Sequence, residues 1–334
     1  MNLLEEKDKI FVAGSNGMVG SAICRLLNKK GYKVKNKNLL TPSRYDLDLT
    51  NLHHVEKWFR SHNPEVVIIA AAKVGGIMAN MKKPVDFLLE NLKIQNNLIE
   101  TSWKFGVKRL VFLGSSCIYP KFSNQPIKES YLLSNNLEET NQWYAIAKIA
   151  GLKLCQAFKN QYKFDAISLM PSNLYGPKDN YDLNEGHVMA ALIRKFYEAK
   201  INNKKEVICW GSGKPLREFL YVDDFAEACF FLLKNWDPNI NNSPLDQNGF
   251  PLNWINVGCD FEISIKDLAI KISNIMNYEG KILWDSNKPD GTLRKKLDTN
   301  CIKKLGWEAK TNLDNGIKST LSSYKKERLN QYDA

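Results

Sequence analysis

A glycine-rich turn stands between the first predicted strand, Lys9–Ala13, and the first predicted helix, Met18–Lys29. Glycines at such a junction permit a tight turn and let the backbone approach a pyrophosphate, while the helix N-terminus offers unpaired N–H groups to the anion. The glycine spacing is GxxGxxG rather than GxGxxG. The position of the turn between a strand and a helix is therefore stronger evidence for dinucleotide binding than the motif itself. A strand–helix turn without a ligand is the alternative. The residues expected to bind a dinucleotide here are Gly14, Asn16, Gly17, Met18, Val19 and Gly20.

Strands and helices alternate through the first half of the chain. Apolar runs such as Val66–Ala72 are typical of parallel strands that are covered on both faces. The other predicted strands are one that begins at Tyr32–Val34, Arg109–Ser115 and Ala166–Met170, and the later helices are Asn51–His62, Pro84–Phe105 and Tyr144–Phe158. Repeated strand–helix units predict an α/β fold with a Rossmann-type doubly wound parallel sheet.

The pattern changes after about Asn173. Glu206–Trp210 and Trp254–Val257 are predicted as isolated strands, Asn235–Asn253 as a surface loop and Ile265–Met276 as an amphipathic helix. We expect residues 1–172 to form the dinucleotide-binding Rossmann domain, with segments of the second half returning to it. Residues 173–330 are then mainly a smaller α/β substrate-binding domain.

The composition argues against several classes of protein. No stretch approaches the roughly 18–20 apolar residues of a membrane span, and the charged start Met1–Lys9 is unlike a signal peptide, so a cytoplasmic protein without a membrane partner is expected. Seven cysteines without CxxC spacing argue against a disulfide framework and against a metal site. The net charge of +11 favours phosphate-bearing ligands, and the lysines are spread too evenly to indicate nucleic acid.

The choice of cofactor depends on the end of the second strand, where an acidic residue usually binds the ribose 2′-hydroxyl of NAD. The sequence at that place is Lys33-Val34-Lys35-Asn36-Lys37-Asn38, which contains no carboxylate, and Arg44 follows. Positive charge favours the 2′-phosphate of NADP(H). Lysines that are merely solvated are the alternative.

Tyr144 and Lys148 form a YxxxK pair on a predicted helix, and the i, i+4 spacing places both on one face. A nearby ammonium favours phenolate, so we expect a lowered tyrosine pKa and a usable acid near neutral pH. YxxxK alone is common in ordinary helices. Here Ser115 stands about 29 residues earlier at the end of a buried strand, at the edge where parallel sheets bind ligands. Glycine turn, Ser and YxxxK in this order resemble the extended short-chain dehydrogenase/reductase superfamily.

Two further residues are candidates for proton transfer. Cys117 lies two positions beyond Ser115, and side chains two apart in an extended segment point the same way. His187 is the only histidine after His62. A lone histidine is more often structural than catalytic.

The chain resembles the GDP-L-fucose synthase family over nearly its whole length. The matching motifs are Ala70–Gly76 (AAAKVGG), Gly114–Pro120 (GSSCIYP), Thr140-Asn141 before Tyr144–Gly151 (YAIAKIAG), Pro171–Pro177 (PSNLYGP), Trp210–Gly213 with Arg217–Leu220, and Pro289–Thr292 (PDGT). That family is the GDP-4-keto-6-deoxy-mannose 3,5-epimerase–4-reductase. The resemblance implies an NADPH-dependent homodimer that acts on a GDP-linked keto-deoxy sugar.

The resemblance also assigns roles to individual positions. Ser115, Tyr144 and Lys148 match the reductase group, and Cys117 and His187 match the epimerisation base and acid. The substrate contacts that it implies are Ser116, Asn173, His187, Lys195, Trp210 and Arg217. The cofactor contacts that it implies, besides the glycine turn, are Arg44 near the 2′-phosphate, Asp48, Leu49, Ala71, Lys148 and Asn173.

Three positions depart from the family pattern. Asn16 stands where the family has a second arginine for the 2′-phosphate, and Lys195 replaces a bidentate arginine fork with a point charge. Trp143 precedes Tyr144 where proline can occur. These departures leave the sugar less certain than the chemistry.

Three alternatives remain open. A sugar 4,6-dehydratase of this fold usually has Asp-Glu after the strand-end residue, where this chain has Cys117-Ile118. A reductase without epimerase activity would act on an already epimerised GDP-4-keto-6-deoxy hexose or heptose, for surface polysaccharide synthesis. A non-catalytic NADP-binding sensor would be free to lose Tyr144 or Lys148, and both are present.

The absence of a carboxylate near the second strand generates a test. NADPH should give a higher kcat/KM than NADH, and Arg44→Ala should narrow the difference, because a 2′-phosphate would lose a positive partner. Steady-state kinetics with both cofactors measure this. Equal kcat/KM values for the two cofactors in the unmodified protein would contradict the NADP(H) assignment.

Overall fold

Six parallel strands form the central sheet of the computed structural model, which describes residues 3–239 and 243–332. In chain order they are β1 Ile10–Ala13, β2 Leu39–Leu40, β3 Val66–Ile69, β4 Arg109–Leu113, β5 Ala166–Pro171 and β9 Trp254–Val257. Their order across the sheet is β2-β1-β3-β4-β5-β9. The chain leaves β1 to one side and returns on the other, which places a topological switch point at the carboxyl ends of β1 and β3.

The remaining strands form two smaller sheets. β6 Asn173–Tyr175, β8 Leu216–Tyr221, β10 Glu262–Ser264 and β12 Arg294–Lys295 form one of them, with β8 paired to the other three. β7 Glu206–Trp210 pairs in parallel with β11 Lys281–Asp285. The helices are α1 Met18–Lys29, α2 Leu52–His62, α3 Ile77–Lys82, α4 Pro84–Lys104, α5 Gln142–Tyr162, α6 Val188–Ile201, α7 Val222–Asn235, α8 Ile265–Ile275, α9 Asn300–Lys304 and α10 Leu313–Tyr332.

Both faces of the central sheet are buried, as the apolar strands require. In β1, Ile10 and Val12 pack into a core with α1, α7 and α9, while Phe11 and Ala13 pack into a second core with α2, α4 and α5. This alternation follows from the two-residue period of a strand. We call the sheet with these helices and α3 the sheet lobe. A third core joins α6, α8 and α10 to β7 and β8, and these elements with β6 and β10–β12 are the second lobe.

Two predictions about strands were wrong. Tyr32–Val34 does not begin the second strand, because the chain forms a 3-10 helix at Val34–Asn36 and pairs with β1 only at Leu39–Leu40. Neither Trp254–Val257 nor Glu206–Trp210 is isolated, because the first extends the central sheet beside β5 and the second pairs with β11. The helix predicted from Tyr144 begins at Gln142 and continues to Tyr162. The predicted loop Asn235–Asn253 contains residues 240–242, which lie outside the described residues.

The lobes meet at a buried carboxylate. Glu218 of β8 is fully buried and accepts hydrogen bonds from the backbone N–H groups of Cys259, Asp260 and Leu297 at 2.7–3.0 Å. Burial raises the pKa of Glu218, and these bonds oppose the rise. Because Cys259 and Asp260 follow β9 and Leu297 follows β12, the Glu218 side chain joins β8 both to the sheet lobe and to the segment after its neighbouring strand β12.

Across residues 3–239 and 243–332, no helix has the length and apolar character to span a membrane.

Removal of this carboxylate should destabilise the fold. Glu218→Ala leaves three backbone N–H donors without an acceptor, of which that of Leu297 is buried, so we expect the free energy of unfolding to fall by about 1–3 kcal/mol. Urea denaturation followed by tryptophan fluorescence measures the change. Glu206→Ala, an exposed glutamate on β7, is the control and should change the value by less than about 0.5 kcal/mol. Equal effects of the two variants would contradict this role for Glu218.

Candidate active site

A cavity of about 570 Å³ lies between the two lobes. The sheet lobe contributes the glycine turn at Gly17–Gly20, the segment after β3 and the segment after β4, and the second lobe contributes His187 and the segment 289–292. Its volume is within the usual range for a small-molecule site. The cavity therefore opens at the switch point, where open α/β sheets bind ligands.

The glycine turn is built on close backbone contacts. Gly14 has φ of +84°, and a Cβ there would lie 2.6 Å from the Ala71 backbone nitrogen. A Cβ on Gly20 would lie 2.1 Å from the Gly14 carbonyl oxygen. At Gly17, by contrast, the nearest atom to an added Cβ is 3.6 Å away. The first and third glycines thus serve the packing of the turn, and the second lies on its open side.

The N-terminus of α1 is free to bind an anion. Its N-cap residue, Gly17, makes no side-chain capping bond, and its first turn contains no acidic residue. Met18 and Val19 open the helix and line the cavity. Unpaired N–H groups and a positive helix end without a competing carboxylate fit the pyrophosphate of a dinucleotide.

The residues expected near the adenosine end lie outside the cavity lining. Asn16 and Arg44 are exposed, Ala71 packs against Gly14, and Asp48 and Leu49 precede α2. The Asp48 carboxylate accepts two bonds from Thr50, which lower the Asp48 pKa. Because β2 ends at Leu40, the segment that follows the strand is Thr41–Arg44 and not Lys33–Asn38. It also contains no carboxylate and brings Arg44 closer to the strand end than the sequence suggested.

Ser115 and Cys117 are positioned by the end of β4. Ser115 caps a 3-10 helix at Ser116–Ile118, and its Oγ accepts a hydrogen bond from the Cys117 backbone N–H at 3.2 Å. Ser116 is buried beside them. Ser115, Ser116 and Cys117 all line the cavity, but the segment is a 3-10 helix and not the extended segment that was expected from the sequence.

Lys148 lies one turn beyond Tyr144 on α5, and both line the cavity. Lys148 is buried, its Nζ donates to the Leu113 carbonyl oxygen at 2.8 Å, and it lies 5.9 Å from the centroid of the Tyr144 ring. Burial lowers the pKa of Lys148 to about 8.

The pKa of Tyr144 differs from the expectation. Burial raises it, Cys117 adds to the rise, and a hydrogen bond with Ser115 opposes it. The lowering expected from Lys148 does not offset the effect of burial. A phenol with a raised pKa holds its proton at neutral pH and can donate it.

The structure brings a third group to Cys117. The Cys117 sulfur accepts a hydrogen bond from Asn141 Nδ2 at 3.3 Å, and Lys295 Nζ of β12 lies 3.7 Å from it. Lys295 and Asn141 line the cavity. A thiol, an amide and an ammonium from three distant segments therefore meet beside Ser115.

His187 reaches the same cavity from the second lobe, as the N-cap residue of α6. More than a third of its surface is accessible, but the ring lies among the cavity walls. Desolvation there lowers the pKa of His187, and the charge of Lys295 lowers it further. A lowered imidazole pKa makes the protonated ring a stronger acid.

Basic and aromatic side chains line another part of the cavity. Lys195 Nζ lies 5.0 Å from the Trp210 ring within this lining, and Lys288 Nζ, outside the lining, lies 5.3 Å from the same ring. Arg217 donates to the carbonyl oxygens of Leu216 at 2.9 Å and Asp290 at 3.4 Å, and burial lowers its pKa. An indole with an ammonium and a guanidinium can bind a nucleotide base and its phosphates.

Asn173 lies between the reductase residues and this basic part in sequence, and its Nδ2 donates to the Glu218 carbonyl oxygen at 2.8 Å. It lines the cavity with Lys195, Trp210 and Arg217. The substrate contacts expected from the resemblance are therefore in one cavity.

Sequence reasoning missed Lys295, Asn141 and Asp290. The Asp290 carboxylate accepts bonds from the Ser212 N–H and hydroxyl, each at 2.7 Å, and so joins the loops before β8 and β12. Asn141 and Asp290 lie in the Thr140-Asn141 and Pro289–Thr292 motifs, which are the sequence signal for them. Lys295 carries no such signal, because only the pairing of β12 with β8 brings it to the site.

Residues 10–243 match the NAD dependent epimerase/dehydratase family. The chain is 48% identical to GDP-L-fucose synthase 1 from Arabidopsis thaliana over 330 residues, which are 99% of this chain and 97% of that protein. Two solved structures from Campylobacter jejuni are also similar. The GDP-6-OMe-4-keto-L-xylo-heptose reductase has a TM-score of 0.88 at 34% identity and covers 97% of this chain and 99% of its own.

The second structure is the GDP-mannoheptose C4 reductase with NADP bound, with a TM-score of 0.85 at 35% identity and coverage of 96% of this chain and 99% of its own. Family match, identity over nearly the full length and agreement of the fold point the same way. The chain belongs to the NAD dependent epimerase/dehydratase family and, within it, to the GDP-L-fucose synthases.

Proposed function

We propose that this protein uses NADPH to reduce the C4 keto group of a GDP-4-keto-6-deoxy sugar after epimerising C3 and C5. The observation that carries the proposal is that Ser115, Tyr144 and Lys148 share one cavity with Cys117 and His187. The relatives' names support the substrate class and the cofactor.

NADPH, when bound, supplies the hydride. The residues that would hold it are the first-turn N–H groups of α1 for the pyrophosphate, Arg44 for the 2′-phosphate and Lys148 for the nicotinamide ribose. Asp48, Leu49, Ala71 and Asn173 are proposed as further contacts. The uncapped helix end and the absence of a carboxylate from Thr41–Arg44 fit this cofactor.

Tyr144 donates the proton that the C4 oxygen needs, and Ser115 donates a hydrogen bond to the same oxygen. A phenolate left in a buried site needs a cation nearby. Lys148 is the buried ammonium on the same helix face, 5.9 Å from the ring centroid. We therefore assign Lys148 to stabilising the phenolate that Tyr144 becomes.

Epimerisation uses the same C4 carbonyl, which acidifies the hydrogens at C3 and C5. Cys117 removes a proton, the enolate oxygen is held by Ser115 and Tyr144, and His187 returns a proton to the opposite face. Cys117 comes from the sheet lobe and His187 from the second lobe, which supports a sugar position between them. Lys295 places positive charge where negative charge moves during the transfer.

A reductase without epimerase activity is the second candidate. The two Campylobacter structures carry such reductase names at 34% and 35% identity, below the 48% of the fucose synthase relative. Because Cys117 and His187 are both present in the cavity, the bifunctional proposal is favoured. A non-catalytic sensor is disfavoured by the complete set of Ser115, Tyr144 and Lys148.

We further propose a cytoplasmic homodimer. Four apolar side chains are exposed on α4 and α5, namely Val85, Leu89, Trp143 and Ile146. They support a dimer in which these two helices pack against the same two helices of a second copy. Light scattering of the purified protein would measure the mass of the assembly. The division into domains at residues 172 and 173 stays a prediction.

Tyr144→Phe removes the phenolic proton and keeps the ring. We expect C4 reduction to fall by about a hundredfold or more, the size of general acid catalysis, with NADPH binding retained. The rate of C4 reduction is measured from the loss of NADPH absorbance. A separate titration measures NADPH binding, so the two effects are distinguished. A variant that keeps most of its kcat would refute the role of Tyr144.

Deuterium exchange tests the epimerase half. The NADP+-bound protein in D2O should exchange deuterium into C3 and C5 of a 4-keto substrate without net reduction. Cys117→Ser should largely stop the exchange, because a serine hydroxyl is a far weaker base than a thiol that can ionise. His187→Ala should leave deprotonation possible but impair return of the proton on the other face. Mass spectrometry and NMR measure the label.

The control for both variants is reduction of a substrate already epimerised, which should survive because Ser115, Tyr144 and Lys148 remain. Reduction of a 4-keto sugar by the unmodified protein, with no deuterium at either carbon, would exclude the bifunctional proposal. The chain would then be a C4 reductase in which Cys117 and His187 shape the sugar pocket.

A further inference from the structure

The loop that carries His187 is fastened to the sheet lobe at Glu185. The Glu185 carbonyl oxygen accepts a hydrogen bond from the Gly76 N–H at 2.7 Å. The Glu185 carboxylate pairs with Lys83 Nζ at 2.5 Å. We call these two interactions the loop contact. Gly76 precedes α3 and Lys83 follows it, so one glutamate is held at both ends of a sheet-lobe helix.

The backbones approach each other closely at this place. A Cβ on Gly76 would lie 2.6 Å from the Gly186 carbonyl oxygen, and one on Gly75 would lie 3.3 Å from the Glu185 oxygen. Asn80, which is buried, donates from Nδ2 to the carbonyl oxygens of Gly75 and Gly76 at 2.8 and 3.0 Å. The sheet-lobe side of the contact is therefore fixed.

The His187 side is also rigid over a short distance. Asp182 Oδ1 accepts the backbone N–H groups of Asn184 and Glu185, each at 2.8 Å, and the Gly186 N–H donates to the Asp182 carbonyl oxygen at 2.8 Å. His187 follows directly as the N-cap residue of α6. A shift of Glu185 is thus passed to His187 through one residue of constrained backbone, Gly186.

We propose that Lys83 and Glu185 are positioning residues for the epimerisation, because the loop contact sets the distance from His187 to the Ser115–Cys117 side of the cavity. The inference rests on the proposed function, because it concerns the epimerisation step. It assigns the two residues no role in C4 reduction. The cavity is lined by Gly76 and Glu185 of the loop contact and also by His187. Through the loop contact, the sheet lobe determines the position of His187, the proposed acid of the second lobe.

The two parts of the contact differ in strength. Lys83 and Glu185 are both partly exposed, and exposed ion pairs change an equilibrium by no more than about fivefold. Lys83→Met should therefore lower C3 and C5 exchange about two- to fivefold. Gly76→Ala forces a Cβ against a backbone oxygen, and displacement of a catalytic group by about 1 Å can cost a hundredfold. We expect Gly76→Ala to lower exchange by about tenfold or more.

The measured quantity is the rate of deuterium exchange at C3 and C5 divided by the rate of C4 reduction of an already epimerised substrate. It is determined on the full-length NADP+- or NADPH-bound protein with GDP-4-keto-6-deoxy-mannose and its epimerised product. Lys83→Arg keeps the charge and should restore the ratio. Lys82→Met, an exposed lysine one residue earlier, is the matched control and should leave the ratio unchanged.

A fall of the ratio in Lys83→Met and Gly76→Ala, with recovery in Lys83→Arg, supports the proposal. Equal losses of exchange and reduction, or an unchanged ratio in both variants, overturn it while the proposed function stands. If the unmodified protein shows no exchange at all, the bifunctional function and this inference fail together. Lys83→Met changes only a partly exposed side chain, so misfolding of Gly76→Ala would not remove the test.

Discussion

The close packing of Gly14 against Gly20 and Ala71 is the contact on which the site depends. It brings the exits of β1 and β3 together with the start of α1, at distances where only glycine fits. Because this contact fixes where α1 begins, it also fixes the direction in which the uncapped N–H groups point. The crevice for an anionic cofactor is therefore a product of backbone packing, and the side chains that perform chemistry are placed around it by β4, α5 and α6.

Those side chains share one electrostatic condition, which is desolvation by the cavity walls. Burial raises the pKa of Tyr144 and lowers the pKa values of Lys148 and His187. Each shift favours the neutral form, and for Lys148, whose pKa falls to about 8, the free energies of the protonated and deprotonated states approach each other near neutral pH. Groups in that condition are suited to proton transfer near neutral pH. The pKa values of Lys148 and Tyr144 both shift because both side chains are buried. The YxxxK spacing alone does not indicate this burial.

The sequence predicted the sheet well where local signals and burial agree. The bounds of α1 are those predicted, because Gly31, with φ of +98°, follows its last turn. Pro84 correctly marked the start of α4. The second strand was misplaced because β2 has only two residues and its pairing with β1 leaves no periodic pattern. Lys295 could not be placed near Cys117, 178 positions away, since nothing local reports the pairing of β12 with β8.

The two proposed reactions make different demands on this architecture. Ser115, Tyr144 and Lys148 all come from the sheet lobe, at the end of β4 and on α5. The groups proposed to act on C4 in reduction therefore come from one lobe, whereas the nucleotide contacts Lys195, Trp210 and Arg217 come from the other. Epimerisation needs Cys117 of that lobe and His187 of the other, so its geometry depends on contacts between lobes such as those of Glu218 and Glu185. Since a local change around His187 leaves the reductase residues in place, epimerase activity can be lost on this scaffold without loss of reduction. The converse does not hold, because the C4 oxygen must be held by Ser115 and Tyr144 in both reactions.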